Sequence, residues 1–213
     1  MALSIAAFKP VKAAAWALAL LPLCHTLRAA AGAVEPSSFL IERTGFWSMC
    51  FLCIALAVTP LRRILAWPAL ASLRGILGMA AFCYALLHVG IASFDLPDVW
   101  QHIVRTPANF VDALAFLLLI PLALTSNAPA KRWLGGQRWK RLHQLVYLIV
   151  PLAASRFWLD ALTSRRYGYA AGFSLCILIL LGLRLYWRFK AASPGTAPPA
   201  HNSQSRSSGW RQP

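Results

Sequence analysis

Six stretches of the chain are almost continuously apolar, at roughly 13–32, 45–61, 75–94, 109–125, 142–159 and 168–187, and short polar or basic segments separate them. None shows the strict alternation of a half-buried strand. Most are close to the length a helix needs to cross the hydrocarbon core, about twenty residues, and the second and fourth sit near the lower limit. Backbone polar groups in lipid must be satisfied internally, so these runs predict helices. The expected fold is an all-α membrane protein with a six-transmembrane-helix bundle over 13–189, preceded by a cytoplasmic N-terminus at 1–12. The segment 190–213, with ASPGTAPPAHNSQSRSSGWRQP, is too rich in Pro, Ser and Gly to bury a core and is expected to be a disordered cytoplasmic tail.

The cations set a direction for the bundle. With a cytoplasmic N-terminus, fifteen of the 21 Lys and Arg residues fall in inner segments, with clusters at Arg62–Arg63, Lys131–Arg132 and Arg138–Arg141. The other six, Arg28, Arg43, Arg105, Arg156, Arg165 and Arg166, fall in the outer half. All six acids, including Asp112 and Asp160, lie on or near that outer side. Both termini are therefore expected on the cytoplasmic face of a bacterial inner membrane.

Composition agrees with this reading. The chain of 213 residues is 59% hydrophobic and only 13% charged, outside the usual soluble mix. Its net charge of +15 is distributed in runs between apolar spans, not as a stripe on a polar fold, so no nucleic-acid partner is expected. Cys50 and Cys53 form a CxxC inside WSMCFLCIALAV, an apolar setting unlike that of a zinc or redox motif. They read as small apolar residues. The first span lacks a small-x-small cleavage site, so no cleaved signal is expected.

Histidines inside membrane helices are costly unless they have a partner, and each is a functional-site hypothesis. Imidazole is also a frequent axial ligand of haem iron. His143 stands just inside the fifth span, beyond the basic segment KRWLGGQRWKR, at the inner level. His88 lies in the third span, fourteen residues past Arg74. That is about 21 Å of helix and puts it at the outer level. The two cannot clamp one iron, but they suit two haems stacked across the membrane. His25, beside Arg28, is also near the outer level, and an interfacial role competes with ligation there. His102 belongs to the loop after the third span, and His201 to the tail.

These residues resemble a known family. The string LTSN…RWLGGQRWKRLHQLVYL, the LLP of the first span, TPLRR at 59–63, LRGILG…ALLH at 73–88 and the C-terminal LGLRLYWR are similar to the MsrQ (YedZ) family. Its members are haem-binding membrane subunits of the protein-methionine-sulfoxide reductase system, in the ferric-reductase-like transmembrane group. The likeness runs over about residues 10–190. It implies haem b, one or two per chain, with His88 and His143 as axial ligands of the iron. It also implies quinol as donor, possible FMN, and a periplasmic molybdopterin-containing MsrP-type reductase as partner. No Gly-rich dinucleotide fingerprint is present, so the chain is not expected to carry its own nicotinamide site. The basic segment 131–141 suits an FMN phosphate or acidic membrane lipid, and also a plain topology signal.

One position departs from the family. The resemblance implies a second histidine in the fifth span, thirteen residues past His143, where this chain has Arg156 in LAASRFWL. Arginine stays protonated and cannot ligate iron, whereas it can pair with a haem propionate. Arg74 is a similar propionate candidate at the inner level. Three arrangements remain open at the outer level: iron held by His88 alone, a replacement ligand from His25 or His102, or no haem. Acceptors other than MsrP, as in a ferric-reductase-like cytochrome, and a scaffold that has lost haem are the competing functions. Thirteen steps of about 100° also leave 143 and 156 on different faces of an ideal helix, and Pro151 between them is the expected place for re-phasing.

Overall fold

The structure is a computed structural model, and it describes residues 8–95, 98, 101, 103, 105–165 and 167–192. Its elements in chain order are α1 (Phe8–Ala30), α2 (Pro36–Ile64), a 3-10 turn (Pro68–Ser72), α3 (Leu73–Asp95), α4 (Pro107–Leu124), α5 (Ala128–Leu134), α6 (Gly136–Leu142), a 3-10 turn (His143–Leu145), α7 (Val146–Ser164) and α8 (Gly168–Ala192). Among the described residues, six segments are long and apolar enough to cross a membrane. His102, Arg166 and residues 193–213, with His201, lie outside the described residues.

Several ends differ from the sequence expectation. The first helix begins at Phe8, ahead of the apolar run. The second spans Pro36–Ile64, longer at both ends than 45–61. At its start Pro36 occupies the first helical position, where a missing N–H costs nothing. The polar run SSFLIERT is helical, and Ser38 and Glu42 line a cavity beside it. The last helix runs to Ala192, past the expected boundary at 190.

The α2 span is the hub, with 56% of its most apolar window buried against 17–22% for the other five. Helices in lipid gain little from the hydrophobic effect and associate through close packing and interhelical hydrogen bonds. Small residues supply the first: Ala19, Ala80, Ala81 and Ala154 are all buried. Three bonds supply the second. The Ser48 hydroxyl donates to Ala81 O at 2.9 Å, tying α2 to α3. The Tyr84 hydroxyl donates to Ala19 O at 2.8 Å, tying α3 to α1.

The third bond repairs a defect. Pro60 lies inside α2 and has no N–H for the carbonyl of Leu56. Arg184, on α8, donates from Nη2 to Leu56 O at 2.7 Å and to Thr59 Oγ1 at 3.0 Å. Its other amino group bonds the Tyr147 hydroxyl of α7. One guanidinium therefore joins α2, α7 and α8 at the point where α2 would otherwise break.

Candidate functional site

Two of the cavities in the bundle are built around different histidines, among the described residues. The first, about 320 Å³, is lined by His88 of α3, Asp112 of α4 and Arg156 of α7, with Glu42 and Gly45 of α2. The second, about 340 Å³, is lined by Arg74, Gly75 and Gly78 of α3, Lys131 of α5, Trp139 of α6 and His143. Leu52 and Leu119 line both, so the cavities are back to back across a thin apolar wall.

The 3-10 turn at His143–Leu145 helps bring the second histidine to its cavity. Three residues at 120° each advance the helix by about 60° relative to α-helical steps. The angular gap between 143 and 156 falls from about 140° to about 80°. The turn at His143–Leu145 thus contributes to the re-phasing, and Pro151 lies further along, inside α7. The imidazole Nδ1 lies 3.2 Å from Trp139 O. In the tautomer that donates to this carbonyl, Nε2 keeps its lone pair. The Trp139 ring lies 4.1 Å from the imidazole, centre to centre, and its Nε1 donates to Thr125 O at 2.9 Å. Lys131 covers the same indole, with Nζ 4.9 Å from the ring centre.

His88 is fixed in the same way. Its Nδ1 lies 2.8 Å from Ile41 O of α2. Gly45 makes room for the ring, because a Cβ at that position would come within 3.0 Å of Nδ1. The Nε2 atom lies 3.5 Å from Asp112 Oδ2. That same oxygen accepts from Arg156 Nε at 2.7 Å, and Arg156 also pairs with Asp160 one turn further along α7. A smaller space of about 150 Å³ adjoins the first cavity, and His88, Asp112 and Arg156 line it too.

The structure thus brings Arg74 and His143 into one cavity and His88 and Arg156 into the other. Arg156, a candidate propionate contact, pairs with two carboxylates, Asp112 and Asp160. His25, a candidate replacement ligand, is exposed on α1 and lines neither cavity. The residue sequence reasoning passed over is Asp112. Its signal was available, since a carboxylate inside the apolar NFVDALAFLLL needs a partner. Cys50, Cys53 and Cys176 are free thiols, with Cys53 in the apolar core.

Comparison with known proteins gives a consistent result. A family model described as the ferric reductase like transmembrane component matches residues 44–154. A protein-methionine-sulfoxide reductase heme-binding subunit MsrQ from Herminiimonas arsenicoxydans is 37% identical over 168 residues, covering 76% of this chain and 77% of the relative. The protein of the same name from Ralstonia nicotianae is 34% identical, covering 88% and 90%. A magnetosome protein MamZ from Magnetospirillum gryphiswaldense is 36% identical over 72% of this chain, but over only 24% of its own length. No solved structure matches.

Proposed function

We propose that this chain, which belongs to the ferric-reductase-like transmembrane family and within it to the MsrQ heme-binding subunits, relays electrons across the bacterial inner membrane from quinol to a periplasmic methionine-sulfoxide reductase. The observation that carries the reading is the pair of stacked cavities, each with one imidazole braced at Nδ1 by a backbone carbonyl.

The residues suit haem b at the His143 level. Added Cβ atoms at Gly75 and Gly78 would meet nothing within 4 Å, so α3 offers a flat open face to a macrocycle. Arg74 and Lys131 line the same cavity and match the two negative charges of haem propionates. At the His88 level the donor set is one imidazole, with the Asp112–Arg156 pair beside it. Bound haem supplies one-electron chemistry, tuned by its axial ligands and surroundings.

The protein's part is to hold and orient. The carbonyls of Trp139 and Ile41 fix the tautomer of each imidazole and raise its basicity as a ligand. Leu52 and Leu119 keep the wall between the cavities thin and dry. Arg132, Arg138, Lys140 and Arg141 sit on or beside α5 and α6, at the His143 end. That cationic rim belongs on the cytoplasmic side by the positive-inside rule, where it suits acidic lipid or an FMN phosphate. The opposite end, near His88, then faces the periplasm and a molybdopterin-containing MsrP-type partner.

The test is an absorption spectrum of the detergent-purified chain, expressed with ample haem, before and after dithionite. A b-type spectrum is expected, and His143→Ala and His88→Ala should each lower haem per polypeptide. A colourless protein overturns the reading. In vesicles, quinol should reduce the haem, and the periplasmic reductase with a methionine-sulfoxide substrate should reoxidise it. Reduced haem that the reductase leaves unchanged would reject that acceptor.

A further inference from the structure

A further cavity, of about 350 Å³, lies near the start of α2, the end of α7 and the start of α8. That end of the bundle is opposite the basic α5–α6 segment. Ends of spanning helices lie at the level of lipid headgroups. Glu42, Arg43 and Phe46 of α2 line the cavity, with Phe157 and Asp160 of α7 and Tyr169 of α8. The Phe46 ring centre is 5.3 Å from that of Tyr169 and 5.6 Å from that of Phe173, which is 4.8 Å from Phe157. One wall is thus a packed aromatic cluster. The rest carries charge of both signs. Among the described residues Glu42 and Arg43 enter no ion pair, and Asp160, with its side chain 52% exposed, commits Oδ1 to Arg156. Beyond Tyr169 the exposed face of α8 continues as Gly172, Leu175 and Ile179. A Cβ added at Gly172 would meet nothing within 4 Å, so this face is open next to the cavity.

We propose that this cavity holds the headgroup of a zwitterionic aminophospholipid of the phosphatidylethanolamine class. Its ammonium donates to the Glu42 and Asp160 carboxylates and lies against the rings of Phe46, Phe157 and Tyr169, which attract a cation. The phosphate pairs with Arg43. The acyl chains follow Gly172, Leu175 and Ile179 into the hydrocarbon. A headgroup with phosphate alone would leave Glu42 facing no cation. A choline would bring a cation without N–H donors. Binding is reversible and forms no covalent bond. Haem plays no part in it, so the outcome is separate from that of the relay.

The test uses the full-length chain in detergent with equal amounts of phosphatidylethanolamine, phosphatidylcholine and phosphatidylglycerol of the same acyl chains. Bound lipid is counted by native mass spectrometry. Phosphatidylethanolamine should exceed each of the others by roughly two- to fivefold, as a cation at a partly exposed aromatic site allows. Glu42→Gln keeps the side-chain shape and should remove that preference, with helix content by circular dichroism unchanged. Tyr169→Leu, on a half-exposed ring, is a second probe and should lower it too. Arg43→Gln should weaken all three lipids alike, since each carries the phosphate. Arg138→Gln, at the other end of the bundle, should leave the preference as it is.

Equal binding of the three lipids overturns the proposal. So does a preference that survives both Glu42→Gln and Tyr169→Leu, or one that falls with Arg138→Gln instead. An Arg43→Gln chain that binds all three lipids as well as the parent overturns the placement of the phosphate. Free phosphoethanolamine that displaces the lipid at equal concentration assigns the cavity to a soluble zwitterion and overturns the lipid as its occupant.

Discussion

Arg184 and Pro60 should be coupled energetically, and the size of the coupling follows from the helix they share. Leu56 is 3% exposed, so water does not reach its backbone. Pro60 cannot donate to its carbonyl, and Arg184 Nη2 does so at 2.7 Å. A hydrogen bond from a charged donor is worth roughly 1.5–3 kcal/mol, and an orphaned buried carbonyl costs about 1–3 kcal/mol. Measured interhelical bonds in membranes average lower, about 0.6 kcal/mol, because the reference state finds partners too. Arg184→Leu should therefore destabilise the chain by about 2 kcal/mol. In a Pro60→Ala background the restored N–H of residue 60 takes over Leu56 O, and Arg184→Leu should cost about 1 kcal/mol. The assay is unfolding in mixed micelles by increasing denaturing detergent, followed by far-ultraviolet circular dichroism, for the four proteins of the cycle. Independent sites add to within roughly 0.3–0.5 kcal/mol. If Arg184→Leu costs the same in both backgrounds within that margin, the guanidinium is not compensating the proline.

Three further outcomes follow from the cavities. Gly45→Ala should drive a methyl against His88 Nδ1, where the available distance is 3.0 Å, and lower stability by roughly 1–3 kcal/mol in the same detergent titration; an unchanged midpoint would mean the imidazole yields freely. Arg156→Leu should destabilise more than the Asp112→Leu/Arg156→Leu double replacement, because the single change leaves the partly buried Asp112 without its guanidinium, whereas Asp112→Leu leaves Arg156 its pairing with Asp160; a double variant worse than Arg156→Leu would refute the pairing. Trp139→Leu removes the indole stacked on His143 and its bond to Thr125 O, so haem retention after gel filtration should fall while the helix content by circular dichroism holds; full retention would show that the His143 ring is positioned without it.

The six spans were legible in the sequence because lipid leaves the backbone no alternative to long apolar helices. The levels were legible for a similar reason. Positions 74 and 88, like 143 and 156, are set by a rise of about 1.5 Å per residue, which neighbouring helices cannot alter. Rotation about the helix axis is different. It depends on what each face meets, and no local pattern announced the 3-10 turn that swings His143 toward Arg74. The ends of α2 were hidden in the same way. Pro60 leaves the Leu56 carbonyl without its helical partner, and Arg184, distant in sequence, supplies one. Asp112 is the instructive case. An arginine and an aspartate inside apolar spans each carry a desolvation penalty that water cannot relieve, and each is too expensive to leave alone. Asp112 lies five residues into α4 and Arg156 near the middle of α7, where the two meet at 2.7 Å. The partly buried cation at 156 pairs with the carboxylate of α4, and His88 lies beside that charged pair.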